Sequence, residues 1–169
     1  MYDDIVFFEG KYFEKRGNIY TIFKQEDMPE GVTFVQDKIS QSFQGVIRGF
    51  HGDNKTWKLI TCLHGKVKLV TYNIDTDKKS TYMLNGDDHY IKSVLVPPRT
   101  LNAHQCLSSN CIFYYKWSEL YTGPEDQWSV HYNDSTIKPQ WATTFHNIVS
   151  DRDENAQTLQ ELKEHVNSQ

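Results

Sequence analysis

The chain has 169 residues, 38% of them hydrophobic and 14% aromatic, with a formal net charge of −4. That length supports one hydrophobic core and predicts a single domain over residues 1–169, while the mild negative charge argues against a nucleic-acid partner. No run of about 18 apolar residues is present, so no membrane span is expected. The opening residues carry acids where a signal peptide carries bases, which predicts a cytoplasmic protein.

In chain order, the hydrophobic period is mostly two. Residues 32–37, 44–50, 56–63, 66–74, 79–84, 91–97 and 111–117 are rich in β-branched and aromatic side chains and are predicted as strands. His64-Gly65 separates two of these and predicts a two-residue hairpin. Asn85-Gly86 and Pro97-Pro98 mark further turns. Residues 151–165 are rich in helix formers and follow Ser150, a candidate N-cap, so they predict a C-terminal helix. Short strands at this spacing predict an all-β sandwich or barrel.

Cys62, Cys106 and Cys111 are odd in number and have no CxxC spacing, so they read as reduced thiols. Metal sites in small β-barrels usually offer two histidines one residue apart, followed by a carboxylate. Here His51 is followed by Gly52 and Asp53, and the other histidines are scattered singly. No metal and no cofactor are therefore expected, and any chemistry falls to organic groups. Histidine titrates at about 6.5 and suits proton transfer near neutrality. Tyr114 and Tyr115 are adjacent on a strand, so only one of them points inward. A histidine base and a tyrosine acid on opposite walls can remove a proton from one face of a carbon and return one to the other. That epimerisation needs an acidified C–H and a cation near the developing enolate oxygen, for which Lys58 and Arg48 are candidates. From these residues alone, the reading of His51 as an interior hydrogen-bonded histidine and Tyr115 as a packing tyrosine takes precedence.

Six segments in order carry a resemblance. They are FEKRGNIYTIF, FVQDKISQSFQGVIRGFHG, KLITCLHGKV, VLVPPRTLNAHQC, YYKWSELYTGPEDQWSVHYNDSTIKPQW and IVSDRD. Over residues 12–153 the chain resembles the dTDP-4-dehydrorhamnose 3,5-epimerases. The stretch RGFHGDNKTWKLITC is similar to a branch acting on GDP-linked 4-keto-heptoses in capsule synthesis.

The resemblance implies a cupin, or jelly-roll, β-barrel with short peripheral helices. It also implies a metal-free epimerase of a nucleotide-linked 4-keto sugar, inverting C3, C5 or both, in surface polysaccharide biosynthesis. The substrate it points to is a GDP-4-keto-heptose or a dTDP-4-keto-6-deoxyhexose. It assigns His51 as base, Asp153 as the carboxylate orienting it, Tyr115 as the opposing acid and Lys58 as the enolate-stabilising cation. Arg48, Arg16, Gln36, His104 and Tyr121 match substrate contacts. A homodimer is implied, with N-terminal strands crossing between subunits. Gln41 and Gln105 depart from residues common in the family and bear on which base and sugar are bound. Two other readings are a nucleotide-sugar 3,4-ketoisomerase and a non-catalytic sugar-nucleotide binding cupin.

Arg48 and His51 are three residues apart, and a regular strand would point them to opposite faces. If both serve one site, a bulge or bend is expected at Gly49 or Gly52, where glycine tolerates it.

Overall fold

Period-two segments rich in valine, isoleucine and aromatics become twelve strands, in a computed structural model that describes residues 2–168. In chain order they are β1 (Ile5–Gly10), β2 (Tyr12–Glu14), β3 (Gly17–Ile19), β4 (Gln36–Phe43), β5 (Ile47–Gly52) and β6 (Lys58–His64). They continue with β7 (Lys66–Asn73), β8 (Lys79–Asn85), β9 (Tyr90–Val96), β10 (Thr100–Cys106), β11 (Asn110–Trp117) and β12 (Trp128–Ser129). Two five-stranded antiparallel sheets result, ordered β1-β9-β6-β11-β4 and β12-β5-β10-β7-β8, while β2 and β3 form a separate hairpin. From β4 to β12 the chain alternates between the sheets at every step except β7 to β8, which gives the expected jelly roll.

That alternation corrects the hairpin expected at His64-Gly65. β6 and β7 do not pair; they belong to different sheets, and Gly65 turns the corner between them. Gly65 has φ +75°, and a Cβ there would stand 2.3 Å from the Asn110 carbonyl oxygen, so only glycine fits. A short gap between apolar runs cannot by itself tell a hairpin from a sheet-to-sheet corner, because both need glycine.

The strand expected over 32–37 begins only at Gln36. Before it, Val32 N–H donates to the Pro29 carbonyl and Val35 N–H to the Trp117 carbonyl, in irregular chain. The helix expected over 151–165 is broken in two, α1 (Asp151–Glu154) and α2 (Leu159–Asn167). Between them the Gln157 carbonyl accepts from His131 N–H, and Thr158 starts α2 with a capping box to Glu161. Ser150 does cap α1, accepting from Asp153 N–H.

The sheets bury Ile60, Val67, Leu69, Val94, Val96 and Phe113 in one cluster. A second cluster, including Phe50, Val70, Leu101, Ile137, Trp141, Leu159 and Leu162, covers the outer face of the second sheet with the C-terminal segments. Each buried aliphatic or aromatic side chain is worth about 1.5–3 kcal/mol, so these clusters fix where β5, β10 and α2 sit. Among the described residues, no helix is long and apolar enough to cross a membrane.

Candidate active site

The two sheets enclose, between β4, β11 and β6 on one wall and β5 and β10 on the other, a cavity of about 490 Å³. Arg48, His51, Lys58, His104, Tyr115, Tyr121 and Asp153 all line it. His51 and Tyr115 come from different sheets and therefore approach the interior from opposite walls.

The geometry of β5 explains how Arg48 and His51 share this space. On β10 their register partners, His104 and Asn102, are only two residues apart, so β5 carries one extra residue there. This is the expected bulge. Gly49 lies within it at φ +109°, and a Cβ would meet the Asn102 carbonyl at 2.5 Å and Ala103 Cα at 2.8 Å. Glycine thus allows the close strand contact and the unusual backbone together.

His51 Nε2 lies 2.6 Å from Asp153 Oδ1, and Asp153 Oδ2 accepts from Gly49 N–H at 3.0 Å. The bulge and the carboxylate are therefore tied directly. Burial opposes ionisation of Asp153. The hydrogen bond from His51, its charge and the Gly49 N–H outweigh that and hold the carboxyl below its ordinary range. Asp153 is placed by the Ser150 cap and by chain pairing upstream, where Ile47 N–H donates to the Ile148 carbonyl and Ile148 N–H to that of Gly45.

Lys58 is 3% exposed, and its Nζ donates to Asn102 Oδ1 at 3.2 Å. Burial draws its pKa down to about 8, with Asp53 opposing and Lys38 adding to the fall. Burial raises the Tyr115 phenol, which keeps it protonated, and Arg48 opposes that rise. His104 is buried and stacks on Phe113 at 3.8 Å between ring centres, and burial pulls it down to about 3, so it is neutral. Its Nε2 has no partner among the described residues. Arg48 reaches across the mouth to β4, donating to Ser42 Oγ at 3.1 Å.

Two expected contacts lie elsewhere. Arg16 is exposed in the turn between β2 and β3, paired with Glu14, and does not line this cavity. Gln36 does not line it either; its Oε1 accepts from Tyr121 N–H at 2.9 Å and so holds Tyr121 in place. Lys38, Asn102, Gln127 and Arg152 also line the cavity and were not expected. Period two could have found Asn102 from His104. Nothing in the sequence marks Gln127. Among the described residues, no three histidine, cysteine or acidic side chains gather as a metal site. A second hollow, of about 400 Å³, lies on the outer face of the first sheet against Phe7, Leu59 and Ile91 and contains no histidine.

A family model described as dTDP-4-dehydrorhamnose 3,5-epimerase matches residues 2–161. The dTDP-4-dehydrorhamnose 3,5-epimerase of Escherichia coli K12 is 31% identical over 173 residues, covering 95% of this chain and 92% of that protein. The dTDP-6-deoxy-D-glucose-3,5-epimerase of Legionella pneumophila, solved with dTDP-4-keto-L-rhamnose, is 26% identical. It superposes with a TM-score of 0.83 over 92% of this chain and 88% of its own. The dTDP-4-dehydrorhamnose 3,5-epimerase of Elizabethkingia anophelis gives 27% and 0.79, over 94% and 92% of the two chains.

Proposed function

The chain belongs to the dTDP-4-dehydrorhamnose 3,5-epimerase family of carbohydrate isomerases, and from that premise we propose that it epimerises a dTDP-linked 4-keto-6-deoxyhexose at C3, C5 or both. One observation carries the reading at this site: the His51–Asp153 pair faces Tyr115 across a cavity that also holds the buried Lys58. Asp153 occupies Nε2 of His51 and fixes the ring, which leaves Nδ1 to take the proton from the carbon beside the ketone. The C–H electron pair moves into an enolate whose oxygen is stabilised by the Lys58 ammonium. The Tyr115 hydroxyl then gives a proton to the opposite face of that carbon, the enolate collapses to the ketone and the centre is inverted. Solvent exchange resets the two groups.

His104 and Gln127 each present a buried nitrogen with no partner among the described residues, which suits hydrogen bonding to the sugar. We further propose a homodimer. β1 pairs with β9 of its own chain, so the arm available to cross is the β2–β3 hairpin, where Tyr12 is 67% and Ile19 71% exposed. Crossing would bring Arg16 toward a neighbour's cavity.

Proton NMR in D₂O with dTDP-4-keto-6-deoxyglucose tests the reading. The expected result is deuterium at C3, C5 or both, with inverted product. A 3-keto product would make the protein a ketoisomerase, and neither exchange nor product would leave a binding protein. A GDP-linked 4-keto-heptose as competing substrate tests the resemblance of residues 48–62 to the GDP branch.

A further inference from the structure

Lys38 is a cation on the cavity wall that the mechanism above leaves unused. It sits on β4 directly opposite Tyr115 in the β4–β11 register. Its ammonium lies 3.5 Å from the centre of the Tyr121 ring, 4.8 Å from that of Trp117 and 5.9 Å from that of Tyr115. Aromatic faces attract and locate a cation, but they do not neutralise it. No ion pair or hydrogen bond to an acidic group engages Lys38 among the described residues, whereas Lys116, on the outer face nearby, is paired with Asp37.

The other cations in the cavity are committed differently. Arg48 donates to Ser42 Oγ and the Gln41 carbonyl, Arg152 to Ser129 Oγ and the Pro124 carbonyl, and Lys58 to Asn102. Asp153 is the only carboxylate among the lining residues, and it is taken by His51 and Gly49. The cavity is therefore positive within a chain of formal net charge −4, which suits an anionic ligand. The Lys38 and Lys58 ammoniums lie 4.8 and 4.7 Å from the centre of the same Trp117 ring, so one ligand can touch both.

We propose that Lys38 is a binding residue for the diphosphate of the substrate. Its ammonium, held by three aromatic rings, takes a phosphate oxygen while Lys58 meets the ketone oxygen at the other end of the sugar. Lysine suits this task as a point charge on a flexible stem, and its bond to phosphate is charge-assisted at both ends. Burial already weakens its hold on its proton, so an arriving anion relieves an existing cost. The inference rests on the nucleotide-sugar reading.

Its test separates binding from turnover. Lys38→Met, Lys38→Gln and Lys38→Arg are compared with the unaltered protein in calorimetric titrations with inorganic pyrophosphate, dTDP and GDP, at two salt concentrations. Deuterium exchange into a 4-keto sugar nucleotide is measured in parallel. The neutral variants are expected to weaken diphosphate binding about tenfold or more and to flatten its salt dependence. The loss in exchange should fall on KM rather than kcat, and Lys38→Arg should recover much of the affinity. Unchanged diphosphate affinity in folded Lys38→Met or Lys38→Gln overturns the proposal. So does a fall in kcat alone with a displaced alkaline pH limb, which would mean that the charge acts on Lys58 instead. If the unaltered protein binds dTDP or GDP but exchanges no carbon-bound hydrogen, the epimerase reading fails, and the titrations still decide the role of Lys38.

Discussion

His51 and Tyr115 belong to different sheets, and that separation makes their roles experimentally divisible. General acid–base groups typically contribute about 10² to 10⁴-fold. His51→Asn should therefore abolish both turnover and C–H exchange by such a factor, while dTDP affinity measured by calorimetry stays nearly unchanged. Tyr115→Phe should slow inversion by a similar factor yet still admit deuterium on the His51 face, and normal epimerisation by His51→Asn would sink the mechanism. Lys58 supplies a pH prediction. Its charge is present below its pKa of about 8 and lost above it, so kcat/KM should fall as pH rises through about 8. In Lys58→Arg the group stays charged, and any residual activity should lack that limb. The stability sign is opposite to that of a paired lysine. An unfolded lysine holds its proton to about 10.4, so between about 8 and that value the folded state binds fewer protons, and this residue makes stability rise with pH. His51, Tyr115, Lys58 and Asp153 were picked out through the family resemblance of their segments, because residue types alone left His51 an interior histidine and Tyr115 a packing tyrosine; the structure brings the four to one cavity. Lys38 was not picked out, since a lysine on a period-two strand reads as solvated until the rings of Tyr115, Trp117 and Tyr121 are seen around it.

Short elements, more than long ones, set the precision of this site. The bulge in β5 and the four-residue α1 are joined by the Gly49–Asp153 hydrogen bond, so a change in either moves His51. Gly49→Ala adds a Cβ against backbone atoms of β10 at a positive φ and should cost about 2 kcal/mol or more, read as a lower thermal midpoint with loss of exchange. Thr158→Ala provides the contrast. It removes the cap of α2, whose residues do not line the cavity, and should cost about 1 kcal/mol without altering kcat or KM. A Thr158→Ala variant with a large loss of kcat would show that α2 supports the site more directly than its contacts indicate. Much of the strand pattern was readable because alternating apolar residues face one core. The bulge was readable too, once the resemblance placed Arg48 and His51 in one site, because three residues apart they could not otherwise share a face. The breaks were not: Val32–Val35 has strand composition but bonds to Pro29 and Trp117 irregularly, and the α1–α2 interruption depends on a tertiary bond from His131 to Gln157. β1, β2, β3, β10 and β12 were missed as well. β12 is two residues long, and no local pattern announces it.

On the scale of the whole molecule, the β2–β3 hairpin is the feature that one chain leaves unexplained. Every residue of both strands is exposed, including Tyr12, Phe13 and Ile19, and exposed apolar side chains gathered on so small an element mark a contact surface. Sedimentation at micromolar concentration should show a dimer, and a stable monomer would contradict the assembly proposed here. Arg16 turns this into a sharper experiment, because its place at the hairpin tip keeps it from its own cavity. If Arg16 completes a neighbour's site, Arg16→Ala should raise KM and lower activity at limiting substrate, and His51→Asn should be inactive. Mixing the two after reversible dissociation should then restore activity. In a mixed dimer one site collects both defects, while the other has an intact His51 and receives an intact Arg16. Random mixing makes half the dimers mixed with one good site in each, so recovery should approach roughly a quarter of the unaltered activity. If Arg16 serves only its own chain, each subunit of the mixed dimer keeps one defect and nothing is recovered. Absence of recovery in mixtures shown to contain mixed dimers would therefore return Arg16 to a surface role and confine the site to one subunit.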